Sequence, residues 1–179
     1  MMMDKEKLWL RTWIEVSRAA LAQNYATFRA LIGPACRMMA VAKSNAYGHG
    51  LVDYSRTLQE LGVDWIGVDS IVEANTLRRN GITAPILVLG YTLPAWYPQA
   101  VAQHVSLTIS TGDGIGHLCD ADLAGLRIHL KVDTGMHRQG FQVHEVDRAC
   151  ALLRAGLPVE SVEGIYTHFA AAKDPAGCK

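Results

Sequence analysis

The chain has 179 residues, 50% of them hydrophobic and 19% charged, a composition that suits a globular fold with a buried core and excludes a disordered chain. Its 17 basic and 17 acidic side chains cancel, so no basic surface for a phosphate backbone is expected and nucleic acid is not an expected partner. The longest apolar runs are strand-sized and the start, "MMMDKEKLWLRTW", carries charges where a secretory signal needs an unbroken apolar core, so no membrane span is expected and the chain reads as cytoplasmic.

In chain order, "TWIEVS" reads as a short strand, and Leu21, Tyr25, Phe28 and Ile32 then recur at helical spacing, with Ser17 placed to cap and Gly33 and Pro34 to stop the helix. "MAVAK" (39–43) predicts a buried strand. "LVDYSRTLQEL" follows, putting Leu51, Tyr54, Leu58 and Leu61 on one helical face before Gly62. "WIGVD" (65–69) predicts the next strand, and Ser70 with Glu73 forms a capping-box pattern for a helix ending at Gly81. "ILVLG" (86–90), "VSLTIS" (105–110), "RIHLKVD" (127–133) and "VEGIYTHFA" (162–170) supply four more strands, with a clear helix from Glu145 to Ala155. "GDGIG" (112–116) reads as a turn with Asp113 capping a helix, not as a phosphate loop. The four cysteines (Cys36, Cys119, Cys150, Cys178) include no C-x-x-C pair, and the seven histidines have no metal-ligand spacing, so reduced thiols and no metal are expected.

Strand and helix alternate, and the strands are rich in Val, Ile and Leu, which predicts a parallel sheet covered by helices. An open doubly wound sheet and a barrel both satisfy that pattern. "RIHLKVD" favours the barrel, because Arg127, His129, Lys131 and Asp133 share one face while Ile128, Leu130 and Val132 share the other. So polar a face is costly between two apolar layers unless it lines a site or a barrel mouth. An eight-stranded barrel needs roughly 200 to 250 residues, so this chain has room for about six of the eight strand-helix units and reads as incomplete.

Lys43 closes the apolar run "AVAK". Its simplest reading is a lysine snorkelling out of a strand top. Reactive groups of parallel barrels also sit at that end, and Asn45, Tyr47, Gly48 and Gly50 follow at once, offering a hydroxyl and backbone amides to an anion. A lysine beside such a loop suggests pyridoxal 5'-phosphate held as a Schiff base.

"AVAKSNAYGHG" (40–50), "PILVLG" (85–90), "KVDTGMHRQGF" (131–141) and "YTHFA" (166–170) stand on strand ends in one order, and together they closely resemble the amino-terminal barrel of bacterial alanine racemases, including the alanine/serine racemases. The resemblance runs from about Thr12 to Ala170. It implies a (β/α)8 barrel that binds pyridoxal 5'-phosphate, here without the carboxyl-terminal β domain. Residues 1–16 would form an amino-terminal segment that goes with that absent domain, and residues 17–179 the partial barrel. The implied function is interconversion of L- and D-alanine, the resemblance leaving open whether serine is also turned over, supplying D-amino acid for peptidoglycan in a cytoplasmic homodimer.

Residue by residue, the resemblance implies that Lys43 carries the cofactor and then acts as base or acid on one face of the substrate's alpha carbon. For that it must be neutral, whereas a free lysine has a pKa of about 10.4, so burial or a neighbouring cation has to lower it. Tyr47 is implied to bind the cofactor phosphate. Arg138 would approach the cofactor's phenolic oxygen and the substrate carboxylate. His168 would pack on the ring, and Leu87 would line the pocket, its plainer reading being a core leucine of the strand. Lys131 matches a lysine that some members carry as a carbamate, a negative group that would orient Arg138; unmodified, it would repel it. The second base is implied to be a tyrosine of the β domain, from a partner subunit. Two other readings of the same strand ends are a non-catalytic pyridoxal phosphate homeostasis barrel and a basic amino acid decarboxylase. "DTGMHRQG" and "RTWIEVS" speak for the racemase version.

Overall fold

A computed structural model of the chain describes residues 11–119, 123–156 and 161–173. Helix α1 (Arg18–Ile32) starts where expected, with Ser17 Oγ accepting from the Ala20 amide at 3.2 Å, and ends at Gly33, whose φ of 71° an L-residue adopts only under strain. Residues 12–16, expected as a strand, pair with no strand among the described residues, and Trp13, Ile14 and Val16 stand exposed. An apolar, β-prone segment becomes a strand only when a neighbour takes its hydrogen bonds.

From there β1 (Met39–Val41), the short turn α2 (Lys43–Tyr47), α3 (Leu51–Glu60), β2 (Trp65–Val68), α4 (Ile71–Arg79), β3 (Ile86–Val88), α5 (Tyr97–Ala102), β4 (Ser106–Ile109), α6 (Gly112–Cys119) and β5 (Ile128–Asp133) alternate. A two-residue strand β6 (Phe141–Gln142), not foreseen in the sequence, precedes α7 (Val146–Gly156) and β7 (Val162–Thr167). Every pairing is parallel: β1 to β5 lie in sequence order, and β6 and β7 both pair with β5. "GDGIG" lies inside α6, as a helix start and not a phosphate loop. The residue that caps it is Thr111, whose Oγ1 accepts from the Gly114 amide at 3.2 Å, and not Asp113.

Side-chain parity decides between the two architectures. Ile66 and Val68, Ile86 and Val88, Leu107 and Ile109, and Ile128 and Leu130 all join one buried core with the helices, including Leu77, Ile115 and Leu118. The alternate residues, among them Leu87, His129 and Lys131, lie outside that core. A doubly wound sheet would be apolar on both faces; here helices cover one face only. The other face curls inward. The Trp65 ring on β2 meets the His129 ring on β5 edge-on, centroids 5.2 Å apart, where a flat sheet would separate strands three places apart by about 14 Å. The described strands form an incomplete parallel α/β barrel with a polar interior.

That interior has a built floor. Ser106 Oγ donates to Glu163 Oε2 at 2.5 Å, and Arg127 and His129 approach the same carboxylate at 3.4 and 3.6 Å. Glu163 reaches them because a bulge interrupts the β5–β7 register there, leaving it without a direct partner. Burial pushes the His129 imidazole below its usual pKa, with Glu163 opposing. Above the floor, the Thr108 and Tyr166 hydroxyls lie 2.9 Å apart.

Candidate active site

The carboxyl ends of the strands converge on a cavity of about 360 Å³ lined by Val41, Lys43, Tyr47, Asp69, Leu89, Gly90, Lys131, Arg138, Gln139, Tyr166 and His168. Five of the six candidate residues, Lys43, Tyr47, Lys131, Arg138 and His168, meet there. Leu87 does not line it: it is 1% exposed, one pleat below, and Leu89 takes the place assigned to it. Both leucines face inward, and two residues of strand advance about 6.6 Å, enough to move a side chain from the mouth into the packed layer.

Lys43 was expected on a strand, yet β1 ends at Val41 and Lys43 opens the turn α2. Ser44, Asn45, Ala46 and Tyr47 all have positive φ, between 52° and 56°. Four L-residues in the left-handed basin cost about 1–2 kcal/mol each, and such strain persists only where surroundings impose it. The Ala46 amide donates to Ala42 O at 2.8 Å, the Leu51 amide donates to Asn45 Oδ1 at 2.8 Å, and Ala46 is buried at 1% exposure. The Lys43 Nζ lies 3.6 Å from Asp69 Oδ1, at the end of β2.

Lys131 is buried on β5 with its Nζ 5.8 Å from the Tyr166 ring centroid. Burial lowers its pKa, Arg138 and Lys43 add to that lowering, and Asp133 opposes it. The folded chain therefore releases this proton before the unfolded chain does, so Lys131 adds stability as pH climbs from its lowered pKa toward the ordinary 10.5. In bicarbonate-free buffer, Lys131→Met is expected to be the more stable protein at neutral pH, its advantage shrinking across that window. Denaturant melts of both chains at several pH values measure the difference, and parallel curves would refute it.

Arg138 rides on the loop after β5. Asp133 Oδ1 accepts from the Gly135 amide at 2.9 Å and the His137 amide at 3.0 Å, and these donors hold its carboxyl below the usual carboxylate range. Gln139 Nε2 donates to Ser110 Oγ at 3.2 Å, tying the loop to β4. Gly140 closes it: with φ 137°, an added Cβ would stand 2.6 Å from the Asp133 amide nitrogen. The sequence reading missed Asp69, Leu89, Gln139 and Tyr166. Asp69 had a signal, since it closes the apolar run "WIGVD" as Lys43 closes "AVAK".

Residues 16–179 match the family model described as alanine racemase, N-terminal domain. The chain belongs to the alanine racemase N-terminal domain family. An alanine racemase of Symbiobacterium thermophilum is 42% identical over 168 residues, covering 92% of this chain and 44% of that protein. The crystal structure of Bacillus anthracis alanine racemase with bound L-Ala-P superposes at a TM-score of 0.86 with 34% identity, over 94% of this chain and 44% of that one. A histidine racemase from Leuconostoc mesenteroides superposes at 0.78 with 30% identity, over 89% of this chain and 43% of that one. This alanine racemase family chain thus spans about half the length of the curated relatives it matches. Among the described residues, no helix is long and apolar enough to cross a membrane and no group of His, Cys, Asp or Glu could hold a metal ion.

Proposed function

We propose that this chain carries the cofactor-binding half of a racemase that interconverts L- and D-alanine using pyridoxal 5'-phosphate, with serine the competing substrate to test. The observation that carries the reading is an amine, Lys43, inside a cavity that also holds Arg138 and Lys131, with Asp69 the one carboxylate lining it among the described residues. A site so rich in cations suits a ligand bearing a phosphate and, beside it, a substrate carboxylate. Its size lies at the lower end of small-molecule pockets, about 300–1,000 Å³.

When bound, pyridoxal phosphate spreads into its ring the charge left when a proton leaves an amino acid's alpha carbon. The protein's own residues divide the remaining work. Lys43 would hold the cofactor covalently and, once freed, carry a proton at Nζ to or from one face of that carbon. Tyr47 offers its hydroxyl to the phosphate, Arg138 its planar fork to the cofactor's phenolic oxygen and the substrate carboxylate, and His168 its ring to the cofactor face. Lys131 repels Arg138 while it is a free ammonium and would orient it once carbamylated. Val41 and Leu89 give the cavity an apolar wall that excludes water. The base on the opposite face would come from a β domain of a partner subunit, making the working enzyme a cytoplasmic homodimer that supplies D-alanine for peptidoglycan.

The test has two arms. Mixing the chain with pyridoxal phosphate and reducing with borohydride is expected to label Lys43, read by peptide mapping. The protein extended to the length of its relatives is expected to racemise alanine in a chiral assay, against serine and histidine as competitors. Label without turnover of any amino acid would favour a carrier barrel, and preferred turnover of histidine would reassign the substrate.

A further inference from the structure

We propose that Glu73 is a positioning residue that fixes Lys43 by clamping the left-handed turn behind it to the end of β2. In the expected capping box, Glu73 would reach back to the Ser70 amide. Half of that box exists, since Ser70 Oγ accepts from the Glu73 amide at 3.3 Å. The Glu73 carboxylate goes elsewhere: Oε2 accepts from the Asp69 amide at 2.8 Å and Oε1 from the Ser44 amide at 2.7 Å, 29 residues away in the chain.

Both amides belong to the lysine's surroundings. Ser44 follows Lys43 directly and is the first of the four residues in the left-handed basin. On the other side of the lysine, the Ala42 amide donates to Gly67 O at 2.7 Å. The backbone of Lys43 is therefore referenced to the β2–α4 unit from both neighbours. Asp69, the other residue that Glu73 holds, carries the carboxylate 3.6 Å from Lys43 Nζ. One carboxylate thus sets the spacing of both members of that ion pair, and charge-assisted bonds of this kind resist distortion more than neutral ones. The bonds within the turn hold its hand; the clamp ties its first residue, Ser44, to the β2–α4 unit and so sets its orientation.

The inference rests on reading Lys43 as the cofactor's lysine, and its test separates the two. Glu73→Gln keeps the size but turns one of the two acceptors into a donor facing another donor. In the 179-residue chain without cofactor, hydrogen exchange at the Ser44 and Asp69 amides is expected to quicken about tenfold or more. Borohydride capture of pyridoxal phosphate on Lys43 should need about tenfold more of the aldehyde for the same yield. Ser70→Ala removes the other cap of the same helix and is the control; it should leave the Ser44 amide and the capture on Lys43 at wild-type values. Unchanged exchange at Ser44 in Glu73→Gln, or equal changes in Ser70→Ala, would overturn the clamp. Failure of the wild-type chain to be labelled would instead count against the lysine's assignment, and exchange would still judge the clamp.

Discussion

Lys43→Ala is expected to reduce covalent capture of pyridoxal phosphate to background while leaving the fold intact. The side chain is 31% exposed at the mouth of the cavity, and its ion pair with Asp69, at 3.6 Å, is of the partly solvated kind that contributes little to stability. Its removal therefore takes away the reacting amine without a comparable structural cost. The readout is the mass of the borohydride-reduced adduct together with circular dichroism of the unliganded chain. Label that persists in Lys43→Ala on Lys131, which also lines the cavity, would show that the wrong lysine has been assigned.

Gly90→Ala is expected to be strongly destabilising although it adds a single methyl. A Cβ at this position would lie 2.4 Å from the Asp69 carbonyl oxygen, which accepts the Gly90 amide at 3.1 Å. Backbone, not a flexible side chain, stands in the way, so the ends of β2 and β3 must part. Overpacking of this kind costs about 3 kcal/mol, or about 6–12 °C in melting temperature for a chain of this size. It should also weaken capture of the cofactor on Lys43, because Asp69 moves. Gly116→Ala is the contrast: nothing lies within 4 Å of the added methyl inside α6, and alanine is the better helix former there. Equal melting temperatures for Gly90→Ala and the wild-type chain would refute the close approach.

The parts of the fold legible in the sequence are those written in short-range chemistry. Ser17 and Ser70 cap the helices they precede, and the parity of "RIHLKVD" foretold a helix-facing and an interior face. Three kinds of feature were hidden. Residues 12–16 have strand chemistry but no strand partner among the described residues, and pairing is a property of two segments. The hand of the turn after Lys43 contradicts the propensities of Ser, Ala and Tyr, so no local rule could predict it. Glu73 looked like half of a capping box because the Ser44 amide that takes one of its oxygens is distant in the chain. Of the site, the resemblance located the residue types on strand ends. It misplaced the leucine by one pleat, because neighbouring inward positions on a strand carry the same pattern.

The left-handed turn has a consequence for anyone wishing to move this chemistry elsewhere. The string "AVAKSNAYGHG" is not a self-sufficient cassette: excised as a peptide, its serine, alanine and tyrosine relax into the ordinary basins and the amine loses its aim. A transplant would have to bring the acidic anchor on the neighbouring helix and the strand end beside it, as a three-part graft, before the lysine pointed anywhere useful.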